Sequence, residues 1–391
     1  MTAKNMNPKH NSNMQQIPEE YANASNEELF ARIQTAKAKL GDSVMILGHY
    51  YQCDDIIAHA DCVGDSYQLA AQASTRDDVD TIIMCGVHFM AETADILSAE
   101  RQNVIMPNMS AGCPMADMAN SEQVDDAWSR LMGYINENPA MAENAAVGNV
   151  QNPDLQEIIP VTYMNSPAAL KAFCGRNGGL VCTSSNARAV LEWAFARGKR
   201  VLFFPDEHLG RNTARDMGID ESQMTLWDPD EAPEERDMQS YADSKIILWK
   251  GFCRVHQRFT VEQIDEAREN YPGAKVVVHP ECNAGVVLAS DGAGSTSYLV
   301  KQVEEAPEGA VIAIGTENHL VERLAKENPD KTVFCLDRRN CICYMMTRIQ
   351  PAYLAWVLEK LVEGKVVNKI SVDPQVAKDA RTALKRMLEA K

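Results

Sequence analysis

The sequence predicts an α/β protein of parallel sheets covered by helices, and three observations carry that prediction. Short continuous apolar runs, such as Val44-Met45-Ile46-Leu47 and Val311-Ile312-Ala313-Ile314, read as strands buried on both faces. These runs alternate with helical stretches through three successive rounds. Each round closes on a strand whose exit carries a cysteine: Cys113, Cys253 or Cys343. Three rounds of similar length with one equivalent residue each suggest a structural triplication.

In the first round, Ser25 to Leu40 reads as an amphipathic helix with a Ser25–Glu28 capping box, ended by Gly41-Asp42. The strand Val44–Leu47 exits into Gly48-His49-Tyr50-Tyr51-Gln52. Helices are expected through Ile56–Ala60 and, after Gly64-Asp65-Ser66, over Tyr67–Ala73. The strand Thr81–Cys85 leads into another helix, and Val104–Pro107 leads into Gly112-Cys113-Pro114. Asn136–Gln156 lacks periodicity and reads as a linker or surface insertion.

In the second round, Ile158–Ser166 is a strand with its exit loop, carrying Tyr163 and Asn165. Leu180–Cys182 exits into Thr183-Ser184, and Arg200–Phe204 exits into Pro205-Asp206. Beyond an acidic irregular stretch, Asp228–Asp237, the strand Lys245–Trp249 delivers Gly251-Phe252-Cys253-Arg254-Val255-His256. A helix over Thr260–Tyr271 opens the third round. Ala274–Val278 exits into His279-Pro280-Glu281-Cys282. Val286–Ser290 is expected as a short strand and Gly292–Ser297 as the start of a helix. Thr332–Leu336 delivers Cys341 and Cys343, and Pro351–Gly364 and Asp373–Ala390 read as closing helices.

At 391 residues the chain suggests two or three domains. Its apolar content of 45% and charged content of 24% are ordinary for a soluble enzyme. A net charge of −17 argues against nucleic acid as a partner. No apolar run reaches the roughly 18–20 residues needed to span a bilayer. Met1 to Glu20 is polar, lacks the apolar core of a secretory signal and is expected as a disordered tail, so the expected compartment is the cytoplasm. There, 11 cysteines do not suggest a disulfide framework. Cys85 and Cys335 read as strand thiols, and Cys53, Cys62, Cys174 and Cys182 as structural.

Three cysteines on distant loops suit an iron–sulfur cluster with one iron lacking a protein ligand; a three-cysteine zinc hydrolase and unrelated core thiols are the alternatives. In parallel α/β sheets, ligands bind beyond the carboxyl ends of the strands. There stand His49, Tyr51, Ser66, Tyr163, Asn165, Ser184, His279, Glu281, Ser295 and Thr296. Hydroxyls at helix starts can hold carboxylate or phosphate oxygens, although Ser66 and Ser295 have an equal reading as helix caps. Arg254 and Arg338-Arg339 are expected to make a basic pocket, while His208 and His256 read as structural or peripheral. Gly292–Thr296 does not complete a dinucleotide fingerprint.

These stretches resemble the quinolinate synthase family from about residue 30 to 391. The resemblance rests on Gly48-His49-Tyr50-Tyr51-Gln52, Gly64-Asp65-Ser66, Gly112-Cys113-Pro114-Met115-Ala116, Tyr163-Met164-Asn165-Ser166, Cys182-Thr183-Ser184, Gly251-Phe252-Cys253-Arg254-Val255-His256, Val278-His279-Pro280-Glu281-Cys282 and Gly294-Ser295-Thr296. It implies three αβα domains about a pseudo-threefold axis, with a cluster and active site at the centre. The corresponding division is a tail at 1–24, domains at 25–135, 158–259 and 260–350, a linker at 136–157, and C-terminal helices at 351–391 packing back on the core.

The resemblance further implies a [4Fe-4S] cluster on Cys113, Cys253 and Cys343, and condensation of iminosuccinate with dihydroxyacetone phosphate to quinolinate, phosphate and water, in de novo NAD biosynthesis. The substrate set it implies is His49, Ser66, Tyr163, Asn165, Ser184, His279, Glu281 and Thr296, with Ser295 beside it; Tyr51 and Glu281, with His49, are the candidates for catalysis. Spacing does not choose between Cys341 and Cys343, but the family's third ligand is followed by two residues and a Met, which fits Cys343-Tyr344-Met345-Met346. A homodimer and a transient contact with the enzyme supplying iminosuccinate are compatible with this reading. So is the alternative of a non-catalytic iron–sulfur carrier or redox sensor, although the many polar strand exits favour an enzyme.

Overall fold

The computed structural model describes residues 15–138, 155–339 and 341–390. The chain is α/β, with three mostly parallel sheets flanked by helices. The first sheet contains β1 (Val44–His49), β2 (Cys62–Gly64), β3 (Thr81–Cys85) and β4 (Asn103–Ile105). The second contains β5 (Gln156–Tyr163), β6 (Leu180–Cys182), β7 (Gly198–Phe204), β8 (Met224–Trp227) and β9 (Ile246–Trp249). The third contains β10 (Lys275–Val278), β11 (Gly292–Ala293), β12 (Val311–Gly315) and β13 (Thr332–Cys335). A last strand, β14 (Lys369–Ile370), joins the first sheet antiparallel to β4.

One strand order recurs. The sheets run β2-β1-β3-β4, β6-β5-β7-β9 and β11-β10-β12-β13, with β14 and β8 added at edges. In each, the first strand of the round is central and the second lies outside it. All pairs in these runs are parallel, so all exits lie at one end of each sheet. The apolar runs suit this placement: all six residues of β1 and all five of β3 are buried. Ser25 and Glu28 form the expected capping box on the helix Asn26–Leu40.

Several elements depart from the sequence reading. Val286–Ser290, expected as a strand, falls on a helix, Ala284–Ala289. Two adjacent valines favour a strand locally, but Val286 is the helix's buried contact. The following helix begins at Thr296, because Gly292-Ala293 pairs with β10. The short strands β2, β8 and β14 were not expected, being edge pieces too brief to show periodicity. Residues 15–24 are not a loose tail. Tyr21 is buried and its hydroxyl donates to Glu359 Oε2 at 2.7 Å, beside an Arg32–Glu359 ion pair. Most of the expected linker, residues 139–154, lies outside the described residues, as do residues 1–14.

The closing helices serve the first two sheets. Pro351–Val362 packs on Asn26–Leu40, and Pro374–Glu389 packs on Ala168–Arg176. A Cβ on Gly175 would stand 2.0 Å from the Asp379 carbonyl oxygen, so that helix contact needs glycine. Among the described residues no helix is long and apolar enough to cross a membrane.

Candidate functional site

The strand exits of all three sheets line one cavity of about 390 Å³. His49 ends β1 and Tyr51 follows it, Ser66 follows β2, and Tyr163 ends β5 with Asn165 beyond it. Ser184 follows β6, His279 and Glu281 follow β10, and Thr296 follows β11. Cys113, Cys253 and Cys343 follow β4, β9 and β13, the last strand of each repeated order, and all three line the same cavity. The loop to Cys253 comes in so closely that a Cβ on Gly251 would meet the Pro205 carbonyl oxygen at 2.1 Å.

Ser295 is the exception among the expected residues. Its hydroxyl accepts the Tyr298 amide at 3.3 Å and caps the helix Thr296–Glu304. The expected basic pocket is also differently made. Arg338 lies at the surface, 3.7 Å from Glu266, and Arg339 is exposed. The cavity's cations are Arg254 and Arg258, the latter paired to Asp337 at 2.6 Å. Of the Cys341-x-Cys343 pair, only Cys343 lines the cavity. Cys341 is fully buried, its Sγ 3.4 Å from the Val255 carbonyl oxygen.

His256, read from the sequence as structural or peripheral, is not peripheral. Its Nδ1 is 2.7 Å from Glu281 Oε2, and its Nε2 is 3.2 Å from Thr316 Oγ1. Thr316 Oγ1 is in turn 2.7 Å from the Tyr51 hydroxyl. His256, Glu281 and Thr316 are all 2% exposed or less, so this line of hydrogen bonds is shut off from bulk water. The spacing Cys253-x-x-His256 was the available signal, because the tight turn after Cys253 brings the third residue back to the same pocket.

Two buried side chains grip the backbone on either side of key residues. Arg323 donates to the carbonyls of Tyr50 and Gln52, which flank Tyr51. Asn212 Nδ2 donates to the carbonyls of Pro280 and Cys282, both at 2.8 Å, which flank Glu281. Gln257 Nε2 donates to the Glu281 carbonyl itself at 3.0 Å.

Burial sets the protonation states. It drives His49 down to about 4 and, with His256 adding to it, His279 down to about 3, so both rings are neutral near pH 7. Burial alone would raise Glu281, but the His256 and His279 rings and the Tyr163 hydroxyl hold it down at about 2. Burial pushes the Tyr51 and Tyr163 phenols well up. It also pushes Cys113 up to about 12 and raises Cys253 and Cys343; Cys343 adds to the rise at Cys113, and both Cys343 and Cys113 add to that at Cys253. Three soft donors that line one cavity and resist ionisation on their own fit a cationic metal centre, which would draw off their protons.

A family model described as quinolinate synthetase A protein matches residues 31–389. The chain belongs to this family of enzymes. The quinolinate synthase of Corynebacterium glutamicum is 54% identical over 381 residues, covering 97% of this chain and 92% of the relative. Those of Acidobacterium capsulatum and Rhodopirellula baltica are each 48% identical, covering 94% and 95% of this chain and 95% and 93% of their own. A family defined over nearly the whole chain accords with a site drawn from all three sheets, since no one sheet supplies it.

A second donor set overlaps the first. Cys253, His256 and Glu281 bring ligand atoms within 4.8 Å of one another. The 2.7 Å His256–Glu281 contact already engages two of these groups with each other, which leaves the thiols as the freer donors.

Proposed function

We propose that this chain condenses iminosuccinate with dihydroxyacetone phosphate to quinolinate, releasing phosphate and water, in de novo NAD biosynthesis. Cys113, Cys253 and Cys343 would hold a [4Fe-4S] cluster, and the three sheets would be three αβα domains about a pseudo-threefold axis. The observation that carries this reading is the convergence of three thiols, from three equivalent strand exits, on one cavity lined by hydroxyls, imidazoles and a carboxylate. The names of the relatives point to the same product. A cluster on three thiolates supplies an iron open to a substrate oxygen, a Lewis acid.

The chain's own residues divide the remaining work. Ser66, Ser184 and Thr296 stand at or just before helix N-termini, where hydroxyls and amides together suit carboxylate or phosphate oxygens. Neutral His49 and His279, with Tyr163 and Asn165, orient the dicarboxylate by hydrogen bonds rather than by charge. Glu281, held ionised, accepts a proton, and Tyr51, held as a neutral phenol, donates one. Arg323 and Asn212 keep these two groups in place.

Anaerobically purified protein should be brown and form quinolinate from the two substrates. Glu281→Gln and Tyr51→Phe should keep the absorbance and lose turnover; turnover at the parent rate in either variant removes that residue's role. Colourless protein carrying stoichiometric zinc would instead favour a single ion on Cys253, His256 and Glu281.

A further inference from the structure

Three loops of the cavity wall meet at one carboxylate. Asp65 is 4% exposed. Its Oδ1 accepts the Gln68 amide at 2.9 Å and caps the helix Ser66–Thr75. Its Oδ2 accepts two hydroxyls, Ser185 Oγ and Ser297 Oγ, each at 2.7 Å. Ser297 Oγ also lies 3.2 Å from Gln68 Oε1. These serines are 120 and 232 residues from Asp65 in sequence, so the contacts tie together separate sheets.

The three positions correspond. Asp65 follows β2, Ser185 follows β6 and Ser297 follows β11, the second strand of each round, which lies outside the first in each sheet. Each is also the chain neighbour of a cavity-lining hydroxyl: Ser66, Ser184 and Thr296 respectively. Hydrogen bonds to a carboxylate are stronger and better directed than those between neutral groups. Because Asp65 engages Ser185 and Ser297, the hydroxyls beside them remain available to the cavity.

We propose that Asp65 is a positioning residue: its carboxylate clasps three loops and sets the spacing of Ser66, Ser184 and Thr296 for binding the oxyanions of the substrate. The inference rests on the proposed anion-binding role of those three hydroxyls. Its test is the KM-against-kcat split in the full-length, anaerobically purified enzyme. Ser185→Ala and Ser297→Ala each remove one strut without touching a lining side chain. Each should raise KM for iminosuccinate by about tenfold, the scale of one charge-assisted bond, with kcat within about twofold of the parent. Ser185→Thr, which keeps the hydroxyl, should restore the parent KM. In an Asp65→Ala background both serine replacements should have no further effect, because the acceptor they share is gone. Parent KM in both serine variants, or undiminished effects in that background, would overturn the clasp. Ser66→Ala separates the two layers. If it leaves KM unchanged, the anion-binding reading itself fails; if it raises KM while the serine struts do not, the clasp alone fails.

Discussion

Asn212 offers the most direct test of how Glu281 is held. Asn212→Leu removes both N–H donors while keeping the same branched shape of four heavy atoms, so no cavity is added. The Cys282 carbonyl is buried and would lose its 2.8 Å partner, which costs about 1–3 kcal/mol for an unmet acceptor. The Pro280 carbonyl is only partly buried and can recover a water, so its loss costs about 0.5–1.5 kcal/mol. Together the variant should be about 1.5–4.5 kcal/mol less stable in denaturant unfolding. The loop it frees carries Glu281, and a displacement near 1 Å at a reacting group can cost on the order of 100-fold in rate. Turnover should therefore fall about 10- to 100-fold, with the cluster absorbance retained. A variant with parent stability and parent kcat would refute the idea that Asn212 fixes the Glu281 loop.

Two further outcomes are expected. Cys343→Ala should yield colourless protein, while Cys341→Ala should stay brown at a cost of about 1 kcal/mol for the lost sulfur packing; the reverse pattern would shift the ligand register by two residues. Acid should destabilise the protein below pH 6.5, because His49 and His279 take up protons at about 4 and about 3 when folded but at 6.5 when unfolded. Between those values the unfolded chain binds the extra protons, so stability falls as pH falls, by up to about 1.4 kcal/mol per pH unit for each ring. His279→Asn should remove about half of that slope, and an unchanged slope would show that the ring is not held neutral.

Much of the arrangement was legible in the sequence because parallel strands buried on both faces leave unbroken apolar runs. Those runs fixed the strand exits, and the exits carried Cys113, Cys253, Cys343 and most of the cavity hydroxyls. What was not legible depends on contacts distant in sequence. The capping role of Ser295 and the cavity role of Thr296 differ only in which way adjacent side chains face. Arg338 and Arg339 adjoin the Cys341–Cys343 loop in sequence, yet both lie at the surface, Arg338 3.7 Å from Glu266. His256 sits one turn beyond Cys253, and only its contacts to Glu281 and Thr316 show what it does. Val286-Val287 has strand-like residues, but the third sheet's core required a helix there.

The line from Tyr51 through Thr316 and His256 to Glu281 has a consequence for isotopes. With Glu281 ionised, every donor along it can point one way: phenol to threonine, threonine to Nε2, and Nδ1–H to carboxylate. A proton moving along such a line passes between ends supplied by different sheets without meeting solvent. Each group in such a line passes on its own hydrogen, so a deuteron taken up by Glu281 from a substrate carbon would stay at that carboxyl, and sending it back towards Tyr51 would require every donor on the line to reverse. Its first exchange would then be with the few hydrogens of the line rather than with the medium.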